Sequence, residues 1–292
     1  MELRREAVPC PLCETLDDVE VLYHARGHRL GGVFTEAGFQ RALVCERVVR
    51  CRRCGLIYVS PRVVLPDGVR AYSVAEEAHY FEGQRGHRLT VARQVLRQLA
   101  RCKVAPGRLL DVGCGDGLLL ALAARGGWEV WGVDTSPEVL ARARAEVPEA
   151  HLAAEDLVRA DLPLETFDAI TLINVLEHVP HPRQVLARCA QLLRPGGVLL
   201  IHVPNAGGIR ARLQGPHWRH VEPLIHLYYF RYRPLARLVA AVGLRPCGTF
   251  SLPGRSLWRR ALLALTDRLG LRWHDGLGVV ARRPGEIRGR GA

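Results

Sequence analysis

Two pairs of cysteines, Cys10 with Cys13 and Cys51 with Cys54, stand out in this chain of 292 residues. Two residues between the thiols of each pair let both sulfurs face one ion, and four thiolates complete the tetrahedral shell of structural zinc. No position is left for a reacting water, so such a metal staples the fold. The other five cysteines, Cys45, Cys102, Cys114, Cys189 and Cys247, are scattered among apolar or small neighbours and read as small buried side chains. This pattern makes a poor disulfide framework, and a reducing, cytoplasmic compartment is expected.

A second stretch with chemistry in it runs from Leu109 to Gly117, LLDVGCGDG. Its glycines let a backbone turn approach a ligand closely, and the amides opening the next helix would point at that ligand. About 20 residues further on, the run EVWGVD closes on Asp134, an acid that suits the hydroxyls of a ribose. A nicotinamide dinucleotide could use such a turn. Asp111 argues against it, because a carboxylate beside the turn repels a pyrophosphate and attracts a cationic amine.

These residues need a scaffold that brings several strand ends to one edge. From Arg108 the chain alternates the apolar runs RLLDV, EVWGVD, FDAITLI and VLLIHV with the helical segments LLLALAARG, SPEVLARARAE and RQVLARCAQLL, which predicts a parallel α/β sheet. Ser136, Pro137 and Glu138 supply a helix cap, a first-turn proline and an acid at the positive end of the dipole. Pro195-Gly196-Gly197 predicts a sharp stop ahead of the next strand. Upstream, HRLTVARQVLRQLARC has the three-and-four spacing of an amphipathic helix that packs on this domain. Downstream, GPHWRHVEPLIHLYYF reads as an aromatic loop, PLARLVAAVGL as a helix, and the regions of Thr249 and Val279 as strands. Between those strands WRRALLALTDRLG reads as a core-facing helix with solvated arginines, the alternative being a helix on a membrane surface. The expected division is a zinc-binding module over 1–60, a linker over 61–83 with Tyr72, Tyr80 and Phe81, the α/β domain over 84–283, and a disordered tail over 284–292.

A composition 48% hydrophobic excludes disorder throughout. No stretch reaches the roughly 20 apolar residues of a spanning helix, and MELRREAVPCPLC lacks the apolar run of a leader. A net charge of +12 suggests a nucleic-acid partner. Against it, Lys103 is the only lysine and the arginines are spread along the chain, as a composition bias would leave them, so a nucleic-acid partner is not expected.

Residues 108 to 205 resemble the class I S-adenosylmethionine-dependent methyltransferases motif by motif: LLDVGCGDG, VWGVDTS, AAEDL, FDAITLINVLEHV and LLRPGGVLLIHVPN stand where that family has its first, second-strand, adenine-contacting, fourth-strand and fifth-strand motifs. The resemblance implies a Rossmann-like, mostly parallel seven-stranded sheet with helices on both faces, and S-adenosylmethionine as methyl donor. It implies that Gly113, Gly115 and Gly117 form the turn, Asp111 helps hold the methionine amine, Asp134 takes the ribose, Asp156 takes the adenine amino group with Leu157 beside the ring, and Asn174 ends the strand nearest the transferred methyl. With RCRRCGLIYVSPR before it and the HLYYF segment after it, the chain resembles a bacterial group of small-molecule methyltransferases that carry an N-terminal zinc-binding domain, ribbon-like in its ligands, and are related to sugar C-methyltransferases. The implied acceptor is a sugar or secondary-metabolite intermediate.

Methyl transfer from a sulfonium is an in-line displacement that needs a positioned acceptor, little water and often a base for the acceptor's proton. Glu177 and His178, just past the fourth strand, are the candidates, His178 as the base; His226, Tyr228 and Tyr229 could face the same zone. Two rivals stand beside this reading. Some ribosomal RNA methyltransferases pair a zinc module with this core, but their cysteine pairs lie close together, and NVLEHV differs from the Asn-Pro-Pro-Tyr loop that holds a flipped base. A cofactor-binding module without catalysis is the other, and the intact acids Asp111 and Asp134 argue against such decay.

Overall fold

The computed structural model describes residues 4–25, 32–35, 38–41, 46–63, 83–252 and 275–285, with the backbone alone for 25, 32–35, 38–41 and 46. Cys45, the linker aromatics Tyr72, Tyr80 and Phe81, the helix expected around 258–270 and residues 286–292 of the tail lie outside them.

The N-terminal segment shows no sustained period in sequence, yet it folds into short strands: β1 (Arg5–Glu6), β2 (Val19–Ala25), β3 (Gly32–Thr35), β4 (Gly38–Arg41), β5 (Glu46–Cys51), β6 (Ile57–Val59) and β7 (Arg62–Val63). All their pairings are antiparallel: β1 with β7, β3 with β4, and β5 between β2 and β6. The reason for the missing period lies in burial. Val49 and Tyr58 enter one apolar cluster while Val48, Ile57 and Val59 enter another, so both faces of β5 and β6 are covered and no polar alternation marks them.

The rest of the chain follows the predicted alternation: α1 (Arg85–Arg101), β8 (Arg108–Val112), α2 (Leu118–Arg125), β9 (Glu129–Val133), α3 (Pro137–Glu146), β10 (His151–Ala153), β11 (Phe167–Ile173), α4 (Pro182–Leu192), β12 (Leu193–Pro204), α5 (Ile209–Gln214), β13 (Tyr228–Tyr229), α6 (Tyr232–Ala240), β14 (Arg245–Phe250) and β15 (Gly276–Arg282). Seven of the strands form one sheet in the order β10-β9-β8-β11-β12-β15-β14. The first five run parallel, and β15 enters antiparallel between β12 and β14.

Alternate strand residues feed opposite faces. Leu109, Val130, Ala169 and Leu200 pack under α1, α2 and α3, where Ala92, Val95 and Leu99 form the buried stripe expected of α1. Leu110, Val133, Ile170 and Leu199 pack under α4 and α6 on the other face, in a cluster that also takes in Val8, Val49, Leu56 and Tyr58. The N-terminal strands thus share a core with the large sheet. As predicted, Ser136 caps α3, its hydroxyl accepting from the Val139 amide at 3.4 Å with Pro137 in the first turn.

Two sequence expectations are corrected. Pro195-Gly196-Gly197 lies inside β12 and forms a kink in its pairing, with Gly196 at φ +80°, because Leu193 already pairs with Phe167 before Val198 pairs with Ala169. The stretch read as an aromatic loop follows directly on α5 and contains a helical turn over 215–217 and strand β13, which pairs with β6 of the N-terminal sheet: Tyr228 with Tyr58, Tyr229 with Ile57. Among the described residues no helix is long and apolar enough to cross a membrane.

Candidate active site and metal centre

Strand order reverses between β8 and β11, and the crevice beyond their C-terminal ends is where open α/β sheets bind ligands. Asp111 stands there, opposite Thr171 in the strand register, and its Oδ1 accepts the Thr171 hydroxyl at 2.6 Å. Burial lifts this carboxyl to about 7; the Thr171 hydrogen bond pulls it back in part and the charge of Asp134 raises it further.

The glycine turn ties the first two strands together. The amides of Gly113 and Cys114 donate to the Val133 carbonyl at 2.8 and 3.1 Å. Gly113, at φ +68°, has no room for a side chain: a Cβ would meet Val175 Cγ2 at 2.5 Å. Asp134 is held by backbone, its Oδ2 accepting from the Gly115 amide at 2.9 Å and its Oδ1 from the Ser136 amide at 3.0 Å. Gly117, at φ +78°, opens α2 in close contact with Ala143. Asp116, within the same turn, forms a bidentate, mostly buried pair with Arg88 of α1, one of its bonds measuring 2.7 Å. Neither residue was marked by the sequence reading, since nothing in the helical period of α1 distinguishes Arg88 from its other arginines.

A cavity of about 900 Å³ opens over this edge. Asp111, Gly113, Gly115 and Asp134 line one part of it; Asn174, Glu177, His178, His220 and His226 line another. A buried acid, a glycine-rich turn and a second-strand acid fit the ammonium, the amino-acid stem and the ribose of S-adenosylmethionine. Asn174 follows the last residue of β11 at φ +56°, and its side-chain oxygen accepts from His202 Nδ1 at 3.0 Å. Asp156 and Leu157 are not among the lining residues. Leu157 is buried in the core beneath, and Asp156 is exposed and caps a turn, its Oδ1 accepting from the Val158 amide at 2.8 Å.

Glu177 and His178 are held by the loop before β13. The Glu177 carbonyl accepts from the amides of Leu227 and Tyr228 at 2.8 and 3.2 Å, and His178 Nδ1 lies 3.0 Å from the Ile225 carbonyl. Burial raises the Glu177 carboxyl to about 8 against the pull of its own backbone amide, and lowers His178 to about 4, helped by His226. His226 is lowered as well, chiefly by burial. Tyr228 and Tyr229 do not line the cavity; they are buried in β13, the Tyr228 hydroxyl donating to the Pro180 carbonyl at 3.0 Å.

The two cysteine pairs converge through matching turns. Cys10 accepts at its carbonyl from the Glu14 amide, and Cys51 from the Gly55 amide, at 2.7 and 2.9 Å; Glu14 and Gly55 both have positive φ. The sulfurs of Cys10, Cys13, Cys51 and Cys54 all lie within 4.8 Å of one another, with Cys10 and Cys54 at 3.5 Å. Four thiolates about 2.3 Å from a zinc ion stand about 3.8 Å apart, so the set fits that metal.

The comparisons agree with this geometry. A family described as a methyltransferase domain matches residues 81–247, more than half of the chain, and the chain belongs to that family. Its strand order and cofactor edge are those of a class I S-adenosylmethionine-dependent methyltransferase. The ubiquinone biosynthesis O-methyltransferase of Xanthomonas oryzae pv. oryzae is 41% identical over 111 residues, which is 36% of this chain and 46% of that protein, so the match spans less than half of the relative. A chain in the Haloferax volcanii complex of the Trm112 methyltransferase activator with a methyltransferase is 20% identical and covers 72% of this chain and 96% of its own, with a TM-score of 0.57. The 1,6-didemethyltoxoflavin-N1-methyltransferase of Burkholderia thailandensis, solved with S-adenosylhomocysteine, is 20% identical and covers 80% of this chain and 97% of its own, with a TM-score of 0.50. At these identities the structural likeness is one of fold.

Proposed function

We propose that this chain transfers a methyl group from S-adenosylmethionine to a small hydroxyl-bearing molecule, a sugar or secondary-metabolite intermediate. The observation that carries the reading is the shared cavity: the donor-type residues Asp111 and Asp134 and the proton-handling residues Glu177 and His178 open on the same space. The bound donor supplies an electrophilic methyl on a sulfonium. Asp111 and Asp134 hold its ammonium and ribose, Gly113 lets the backbone approach, and Asn174 borders the transfer zone. Glu177 and His178 deal with the acceptor's proton, and burial keeps His178 neutral with a free lone pair at neutral pH. The relatives named ubiquinone biosynthesis O-methyltransferase support an oxygen acceptor.

Asp156 and Leu157 belong in this reading as the adenine end of the site, Asp156 by exchanging its turn hydrogen bond for the adenine amino group. Zinc in Cys10, Cys13, Cys51 and Cys54 serves structure, and residues 1–60, 61–83 and 84–283 act as zinc module, linker and catalytic domain.

Calorimetric titration with S-adenosylmethionine and with NAD, on protein whose zinc content is measured, tests the reading. Tight binding of the former that is abolished by Asp134→Ala is expected; binding of NAD alone, or donor binding unaltered in that variant, overturns it.

A further inference from the structure

The acceptor end of the cavity holds more ligand atoms than proton transfer needs. Glu177 is 1% exposed, and neither of its carboxylate oxygens has a hydrogen-bond partner in another of the described residues. Buried carboxylates are ordinarily satisfied by protein donors, by water or by an ion. His178 Nε2 stands 3.7 Å from Glu177 Oε1, too far for a hydrogen bond.

The two histidines are turned the same way. His178 Nδ1 lies 3.0 Å from the Ile225 carbonyl oxygen, and His226 Nδ1 lies 2.7 Å from that of His220. A carbonyl only accepts, so each Nδ1 carries a proton, and each neutral ring offers its lone pair at Nε2. A backbone carbonyl on the far nitrogen is how proteins orient imidazoles that bind metals. The rings of His178 and His226 are 4.8 Å apart at their centroids, and one donor atom from each of Glu177, His178 and His226 falls within 4.8 Å of the other two.

We propose that Glu177, His178 and His226 form a second metal site, which takes a divalent transition-metal cation and presents it to the acceptor. Two imidazoles and a carboxylate suit zinc, manganese, iron(II) or cobalt(II) and differ in kind from the four thiolates of the cysteine centre. Ligand atoms about 2.1 Å from one ion stand about 3.4 Å apart in tetrahedral geometry, so separations of up to 4.8 Å close by about 1.4 Å at most. The cation gives the Glu177 oxygens a partner and keeps open positions toward the cavity that His178 and His226 line. An acceptor hydroxyl bound there becomes more acidic, which deepens the proposed function: Glu177 and His178 handle the proton through the ion they hold. The role of the ion rests on that function, but its binding does not.

The test uses the purified full chain without donor or acceptor. Manganese(II) is titrated and free ion followed by electron paramagnetic resonance, since manganese favours nitrogen and oxygen over thiolate. One bound ion per chain is expected, with a rise in melting temperature by mass action. Glu177→Gln and His226→Gln should each weaken binding at least about tenfold. Cobalt(II) added to the zinc-loaded chain should give a visible spectrum without sulfur charge-transfer bands. Absence of manganese binding at millimolar concentration overturns the site, as does undiminished binding in variants that fold, or a cobalt spectrum carrying only sulfur bands. If a variant does not fold, the wild-type melting shift and the cobalt spectrum decide. Loss of the metal site with donor binding intact leaves the methyltransferase reading standing, and the converse result separates the two the other way.

Discussion

Replacing Asp111 with Asn should strengthen the fold and weaken the donor site at once. Burial lifts this carboxyl from 3.8 to about 7 in the folded chain. The folded state therefore binds the proton more tightly than the unfolded state does. Stability falls as pH rises from about 4 toward 7 and stays low above that, because the ionised carboxylate must then be held in the core. At 1.36 kcal/mol for each tenfold step, the cost near pH 8 is about 4 kcal/mol. Asn carries no charge and keeps an oxygen for the Thr171 hydroxyl. At about 2–4 °C per kcal/mol for domains of this order of size, the variant should melt about 10 °C higher near pH 8 and gain almost nothing near pH 4. The donor should suffer the opposite effect. A charge-assisted hydrogen bond to its ammonium contributes about 1.5–3 kcal/mol, a loss of about 10- to 100-fold in affinity. Because the ammonium favours the ionised carboxylate, wild-type affinity should climb about tenfold per pH unit up to about 7 and then level off, while the variant stays flat. Thermal melts and calorimetric titrations across the acid and neutral range read both effects. A variant that melts lower than wild type throughout, or a wild-type affinity that does not change below neutrality, refutes the placement of a buried ionisable acid at the donor's amine.

Gly113→Ala sets a Cβ against Val175 Cγ2 at 2.5 Å with φ at +68°, and the strain, about 1–3 kcal/mol, should appear as lost donor affinity that Val175→Ala restores only in part. Arg88→Met leaves the mostly buried Asp116 without its bidentate partner and should cost about 3 kcal/mol in urea unfolding, more than Arg93→Met on the same helix. Cys51→Ser should lower the zinc content and the melting temperature together; a variant that loses zinc without losing stability would deny the cysteine centre a structural role.

The donor half of the site was legible because it is local. Asp111, the glycine turn and Asp134 sit within two consecutive strands and their loops, and short-range pattern is what sequence carries well. The cysteine pairs were legible for the same reason within each pair. What brings the pairs together was not, since β5 and β6 are buried on both faces and look like no strand of period two. Arg88 with Asp116 is a contact between distant segments that no local pattern marks, whereas His226 was placed near Glu177 from the sequence, without the distance between them. Asp156 shows the converse: its motif position suggested adenine, while its carboxylate in this structure binds the amide two residues on, as Asp does in many turns.

The pairing of β13 with β6 has a thermodynamic consequence. From the Cys51–Cys54 turn, β6 leads through the Val59 amide, bonded to the Leu227 carbonyl at 3.0 Å, to Leu227 itself, whose amide bonds the Glu177 carbonyl at 2.8 Å. A continuous hydrogen-bonded path thus runs from the thiolate turn to the cavity, and metal occupancy at one end is expected to couple to ligand occupancy at the other. By reciprocity, whatever the metal adds to acceptor affinity, the acceptor must add to metal retention. Zinc should leave a saturated enzyme more slowly than an empty one, so the rate of metal escape to a chelator becomes a reporter of acceptor binding that requires no turnover.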